Sequence, residues 1–237
     1  MLRRLARAAS AAALTLLAAA PLAAQAVRID FAEYASDTTR EYAATVGQPL
    51  TSKGFDFYEA FGSSTRNVLG TWGTADAGAV NRPSNGGTST GLYATVPGAE
   101  IDMYVAGDDP FVPVRTFNLY SIDVAHLFST PYAPFLQPFD LTFFGILASG
   151  GFVYQTFTIP APPLIGGQQT PVYHTLTFDA DFRGLDDVFW DQDYSYVSVE
   201  HQFTNVVAEV TPEPSTYALL GVGLAGVLVV ARRRREA

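Results

Sequence analysis

The sequence predicts an all-β domain, a β-sandwich of the jelly-roll kind, and three observations predict it. Helical periodicity is nearly absent between residues 27 and 210. Aromatic and β-branched residues come instead in short runs broken by Gly, Pro, Asn and Asp, and the longer runs alternate apolar with polar. Roughly nine or ten such strands with regular turns match a sandwich better than a bundle or a doubly wound sheet. The chain also has no cysteine. An exported domain of this size must then be held by its core or by bound ions, since disulfides and a lipid-modified cysteine are both excluded.

The first element is a leader. Arg3, Arg4 and Arg7 make a positive start, Ala8 to Ala20 a short apolar stretch, and Ala24-Gln25-Ala26 a small-residue cleavage site. This predicts a Sec-type signal peptide over residues 1–26 and a mature start at Val27. Residues 27–210 then form one ectodomain. Val27 to Tyr34 is its first apolar run, Ser36 to Ser52 is polar and mixed, and Gly54 to Glu59 (GFDFYE) alternates as a strand. The segment Arg66 to Gly73 carries Trp72, and Asn81 to Gly91 has the composition of a surface loop. Leu92–Val96 and Glu100–Val105 flank the turn pair Pro97-Gly98.

Thr116 to Phe128 alternates, which places Phe117, Leu119, Ser121 and Asp123 on one face and Asn118, Tyr120, Ile122 and Val124 on the other. Phe139–Ala148 and Phe152–Ile159 are joined by Ser149-Gly150-Gly151, a hairpin signal. Leu141, Phe143 and Gly145 alternate with Thr142, Phe144 and Ile146, so both faces are apolar; this predicts a strand inside the sandwich rather than at its edge, with Phe143 buried. Pro160 to Pro171 is a connection, and Val172–Phe178, Val188–Trp190 and Tyr196–Val210 complete the strands.

The chain finishes on Thr211 to Ala237, TPEPSTYALLGVGLAGVLVVARRRREA. Pro212 and Pro214 flank Glu213 and keep the backbone extended. The uncharged run 217–231 predicts a single transmembrane helix, and Arg232, Arg233, Arg234 and Arg235 hold its end on the cytoplasmic side. At about 1.5 Å per residue this helix is roughly 22 Å long, short against a hydrocarbon core of roughly 30 Å. A short span carrying Gly221, Gly223 and Gly226 suits a retention signal that is later removed.

The ordered trio of Pro-Glu-Pro, apolar run and arginines resembles the PEP-CTERM sorting signal of bacterial surface proteins. The resemblance implies recognition by exosortase as a processing partner, anchoring in the membrane at least for a time, and delivery to the cell surface or beyond. The pieces NLYSIDVAHLF, LTFFGILASGGFVYQTFTI, HTLTFDADFRGLDDVFW and HQFTNVVAEV also resemble, in order, a jelly-roll domain common among such proteins. Where that family reads Asp after the Phe of its last piece, this chain has Thr204.

Charge narrows the function. Arg3, Arg4, Arg7 and Arg232–Arg235 are half of the 14 Lys and Arg, whereas only Glu213 and Glu236 of the 23 Asp and Glu lie outside residues 27–210, leaving that segment at a formal charge of about −14. Such a surface excludes nucleic acid as a partner and favours divalent cations. Six aspartates crowd into FDADFRGLDDVFWDQD, namely Asp179, Asp181, Asp186, Asp187, Asp191 and Asp193, and structural calcium is the ligand that set suggests, without EF-hand spacing. No Gly-x-Ser-x-Gly, His-Glu-x-x-His, phosphate-cradling glycine loop or cysteine nucleophile occurs, and His126, His174 and His201 each lie in a strand pattern. Trp72 and Trp190, near strand ends, are candidates for stacking on a sugar face. The expected function is therefore non-enzymatic interaction with exopolysaccharide or extracellular matrix. The competing readings are a carbohydrate-active enzyme using paired carboxylates and a purely structural surface protein.

Overall fold

A computed structural model of the chain describes residues 25–35, 40–45, 48–60, 68–71, 83–85, 90–94, 100–109, 113, 115–127, 137–192 and 200–211, together with 223, 227, 231 and 232 in the tail. The chain divides into two units, Ala26–Val210 and the two ends, residues 1–25 with 211–237. In the second unit residues 223, 227, 231 and 232 are helical and exposed. Among the described residues no helix is long and apolar enough to cross a membrane; most of the span 217–231, like the leader 1–24, lies outside them.

The ectodomain is built from strands and one 3₁₀ turn, Ala32–Tyr34. In chain order the strands are β1 (Val27–Ile29), β2 (Arg40–Ala43), β3 (Leu50–Ser52), β4 (Phe55–Ala60), β5 (Val68–Thr71), β6 (Leu92–Ala94), β7 (Glu100–Val105) and β8 (Thr116–Leu127). They continue with β9 (Phe139–Leu147), β10 (Phe152–Ile159), β11 (Leu164–Ile165), β12 (Gln168–Gln169), β13 (His174–Thr177), β14 (Leu185–Gln192) and β15 (Glu200–Thr211). Apart from the small β11–β12 hairpin they form one continuous sheet, with a central path β2-β5-β6-β15-β8-β14-β7-β4-β3. The path folds into two layers, because β8 and β14 meet at a single pair, Leu185 with Phe117. One layer holds β2, β5, β6, β15 and β8, with β1 on β15 and β13 on β8; the other runs β3-β4-β7-β14-β9-β10. The all-β sandwich the sequence predicts is the fold observed.

The core fills the space between the layers. Phe143, fully buried, packs against Phe157, Phe178 and Trp190 at centroid distances of 5.9, 4.9 and 5.4 Å. Phe31, Phe57 and Phe203 form a second knot, the first two edge-on at 5.1 Å. The β9–β10 hairpin closes through Ser149-Gly150-Gly151, where Gly150 and Gly151 take φ of +86° and +98°, a region that side chains other than glycine rarely occupy.

Three strand expectations change. Leu92–Ala94 and Glu100–Val105 do not pair with each other: β6 lies between β5 and β15, and β7 between β4 and β14 in the other layer. In β8 the strict alternation breaks, since Phe117, Leu119, Ile122 and Val124 are all buried while Tyr120 and Ser121 are both half-exposed. Two consecutive outward residues break the alternation there, so that Ile122 and Val124, rather than Ser121 and Asp123, share the core side with Phe117 and Leu119. β15 slips at the same level: Phe203 and Val206 both face the core, with Asn205 between them at φ +50°. Asparagine tolerates this left-handed conformation better than most residues, and its amide is fixed by Asp123 and by Arg28. Finally, β9 is interior as expected, but among the described residues β10 pairs only with β9, and its side chains facing away from the core are exposed.

Candidate ligand-binding face

Register decides which side chains meet. On the side of the β3-β4-β7-β14-β9-β10 layer that faces away from the core, alternate residues of five strands align in rows across the sheet. One row runs Tyr154, Phe144, Phe189, Asp102, Tyr58; the next runs Phe152, Ile146, Asp187, Tyr104, Asp56. Thr156, Thr142 and Asp191 lie in a third row, with Glu100 one step further along it on β7. With strands about 4.8 Å apart, each row of five spans roughly 19 Å.

The face grades from open to closed. Tyr154 and Phe152 on β10 are 75% and 73% exposed. Phe144 and Phe189 are half-buried and stack at 5.2 Å with planes 14° apart. Asp102, Asp187, Tyr58, Tyr104 and Asp56 are buried. Tyr58 and Tyr104 contact each other edge-on at 5.6 Å, apart from the main core. The aromatic end thus offers flat ring faces, and the other end carries carboxyls and phenols.

The sequence gives these carboxyls no cationic neighbour on their own strands, and their acidities show it. Burial, then the charges of Asp187 and Glu100, push Asp102 up to about 8, against a smaller opposing effect of its hydrogen bond with Tyr58. Burial pushes Asp187 up to about 7. Glu100 is raised by burial and by Asp191, and Tyr104 rises to about 12 chiefly through burial. Asp102 Oδ2 and Asp187 Oδ1 are buried without a hydrogen-bond partner. Asp56 is different: its oxygens accept from Thr51 Oγ1 and from the Gly107 N–H, the latter at 3.0 Å.

A bulge aims Asp187 at this face. The register of β14 against β9 shifts between Leu185, which faces the core, and Asp187, which faces outward, leaving Asp186 as the extra residue. The aspartates singled out in the sequence therefore disperse: Asp179 and Asp181 are exposed beyond β13, Asp186 and Asp191 are half-buried, Asp187 is buried, and Asp193 lies outside the described residues. Among the described residues no three His, Asp or Glu side chains are grouped to hold a metal ion.

Of the two tryptophans, Trp72 lies outside the described residues. Trp190 is 1% exposed and donates its indole N–H to His201 Nε2 at 3.1 Å, so its ring belongs to the core and presents no face to a sugar. The exposed rings are Tyr154 and Phe152, two residues apart and so on one face of β10. His126 is also buried, with Nε2 3.0 Å from the Pro160 carbonyl oxygen, and burial lowers both His126 and His201 to about 4.

At the far end of the chain, β15 runs into the Pro-Glu-Pro segment without a break in sequence. The tail is a PEP-CTERM protein-sorting motif, matched over residues 210–235. The match is to a sorting signal and is confined to the tail. Pro212, Glu213, Pro214 and Arg233–Arg235 of that motif lie outside the described residues, and Arg232 is helical and exposed. No curated protein matches the sequence. Among solved structures the chain is similar to a family 29 carbohydrate-binding module from Piromyces equi, at 8% identity over 82% of this chain and 95% of that one, with a TM-score of 0.34. It is also similar to a Clostridium thermocellum endo-1,4-β-D-xylanase 10B fragment complexed with xylohexaose, at 13% identity over 80% of this chain and 28% of that one, with a TM-score of 0.31.

Proposed function

We propose that this is a non-catalytic surface protein that binds exopolysaccharide across the outer face of its β3–β10 layer, after export and exosortase processing of its tail. The observation that carries the reading is the row Tyr154, Phe144, Phe189, with Phe152 beside Tyr154. Two rings are about three-quarters exposed on a regular strand, and none of the described residues covers them. An aromatic ring stacks on the apolar face of a pyranose, while Thr142, Thr156 and the half-buried carboxyls of Asp191 and Glu100 offer oxygen to its hydroxyls. The carboxyls support binding rather than hydrolysis. Paired glycosidase carboxyls flank an open substrate bond, whereas Asp102 and Asp187 are only 4% and 6% exposed.

The test is retention of the full chain, in mild detergent, on a panel of immobilised polysaccharides. We expect binding to at least one glycan, and a loss of about 10-fold in affinity for Phe152→Ala/Tyr154→Ala, from two stacking contacts of roughly 0.5–1.5 kcal/mol each. Both rings are exposed, so the variant keeps its fold and its circular dichroism. Binding that is unchanged in the double variant would remove this face from the function, and no retention on any glycan would remove the function.

A further inference from the structure

The closed end of the same face poses a separate question. Asp102 and Asp187 sit on adjacent strands, β7 and β14, with Asp187 opposite Tyr104 and Asp102 opposite Phe189, so the two carboxyls are diagonal neighbours on one face. Glu100 lies two residues from Asp102 on β7, and Asp191 four residues from Asp187 on β14. Besides Asp186 at the bulge, four carboxyls thus share two strands, and like charges this close are unfavourable across a sheet. Neither strand contains a Lys or Arg, and the strands β4 and β9 that flank them contain none either. Salt bridging therefore cannot come from within the four strands.

The second observation is the unmet bonding of the two innermost carboxyls. Asp102 and Asp187 are more than nine-tenths buried, yet Oδ2 of one and Oδ1 of the other accept nothing. Buried polar atoms are almost always satisfied, so an orphaned pair on neighbouring side chains points to a bound species. That species must be small, to fit a closed place, and positive, to answer four acids. We infer that a hard cation, calcium among the biological ions, binds between Asp102 and Asp187 on the outer face of β7 and β14. Carboxylate oxygens are the ligands calcium prefers, and water can complete a shell of six to eight oxygens. The bulge at Asp186 then has a purpose: it turns Asp187 to the face where Asp102 lies. The sequence pointed to calcium at the Asp179–Asp193 segment; the register instead places one of those aspartates, Asp187, against a residue that sequence reading did not select.

Tyr58 and Tyr104 make the site visible, because a phenol within a few ångströms sensitises the luminescence of Tb³⁺, which takes calcium sites. The experiment uses the full chain in mild detergent, excited in the tyrosine band, with Tb³⁺ as the probe and calcium as competitor. The expected result is saturable luminescence displaced by calcium, and a melting temperature at least about 2–4 °C higher in millimolar calcium than in EGTA. Asp102→Asn should abolish both, and Asp181→Asn, in the exposed segment, should leave both intact. Asp102→Asn keeps the side-chain volume and relieves repulsion, so its fold in EGTA should persist; Asp187→Asn serves as the second variant. A folded chain with neither signal would overturn the inference and leave protons as the answer to these acids. Signals lost in Asp181→Asn but kept in Asp102→Asn would overturn it too, by moving the ion to the exposed segment. Polysaccharide retention that survives in EGTA leaves the proposed function standing whichever way the cation result falls.

Discussion

The histidines show how one residue type reads differently in sequence and in space. His126 and His201 lie in strand patterns that read as separate residues facing solvent or a local partner, with convergence on a metal left open. In the fold they are buried beside Phe139 and Trp190, with ring contacts from Phe139 of 4.7 and 6.4 Å. Burial holds both near 4, below the ordinary value of about 6.5. The unfolded chain therefore takes up protons at a pH where the folded chain does not. Their contribution to stability is complete above about pH 6.5 and is lost as pH falls toward 4, by about 1.4 kcal/mol per pH unit for each histidine. Asp102 and Asp187 act in the opposite sense: with values raised to about 8 and about 7, their contribution is complete below about pH 4 and is lost as pH rises toward those values. Comparing urea unfolding of wild type and His126→Gln between pH 7 and 4.5 isolates the histidine, because the carboxyl contribution is common to both. The wild type should lose its advantage steadily across that range; a constant difference between the two proteins would mean that His126 is already charged or exposed.

At the scale of elements, alternation was enough to find most strands, and the β9–β10 hairpin pairs antiparallel around its two glycines, as its turn signal predicts. What alternation could not show is where it stops. No residue in Leu119–Ile122 announces the break in β8, and none around Asp186 the bulge in β14; Asn205 in β15 is the clearest local sign, through its tolerance of positive φ. The binding face is illegible for a related reason. Tyr58, Asp102, Phe144, Tyr154 and Phe189 come from five strands and meet only through register. Burial of Phe143, by contrast, was readable because its neighbours two residues away are also apolar. Phe143→Ala should destabilise the domain by about 3–5 kcal/mol, since three aromatic rings pack on it and cannot all collapse into the space left. An unchanged denaturant midpoint would remove Phe143 from the core. Close by, Gly145 leaves room for Leu185 and Val153, whose side chains would stand 2.7 and 2.9 Å from an added Cβ, so the hairpin packs as tightly on its backbone as on its rings.

For the whole molecule the argument is one of opposed charge and opposed solvents. Residues 27–210 are strongly acidic and fold as a water-facing sandwich, while residues 217–231 are uncharged and followed by four arginines. The acidic unit has no charge attraction to an anionic lipid surface, so the proposed attachment rests on the tail. An arginine at the middle of a bilayer costs about 2.5–3.5 kcal/mol on the insertion scale, and four in succession act as a stop. The run before them is short for the membrane, so it has little surplus hydrophobic length with which to compensate their loss. Replacing Arg232–Arg235 with serine should therefore move the unprocessed chain out of the membrane fraction, in a host that lacks the processing enzyme. The measurement is the share of protein that stays with membranes after a carbonate wash, and the wild type should remain there. The ectodomain is unaltered, so the released variant should keep the sandwich's circular dichroism and its retention on polysaccharide. A serine variant held in washed membranes as firmly as wild type would show that the apolar run anchors without its charges, and the arginines would then serve recognition of the motif rather than retention.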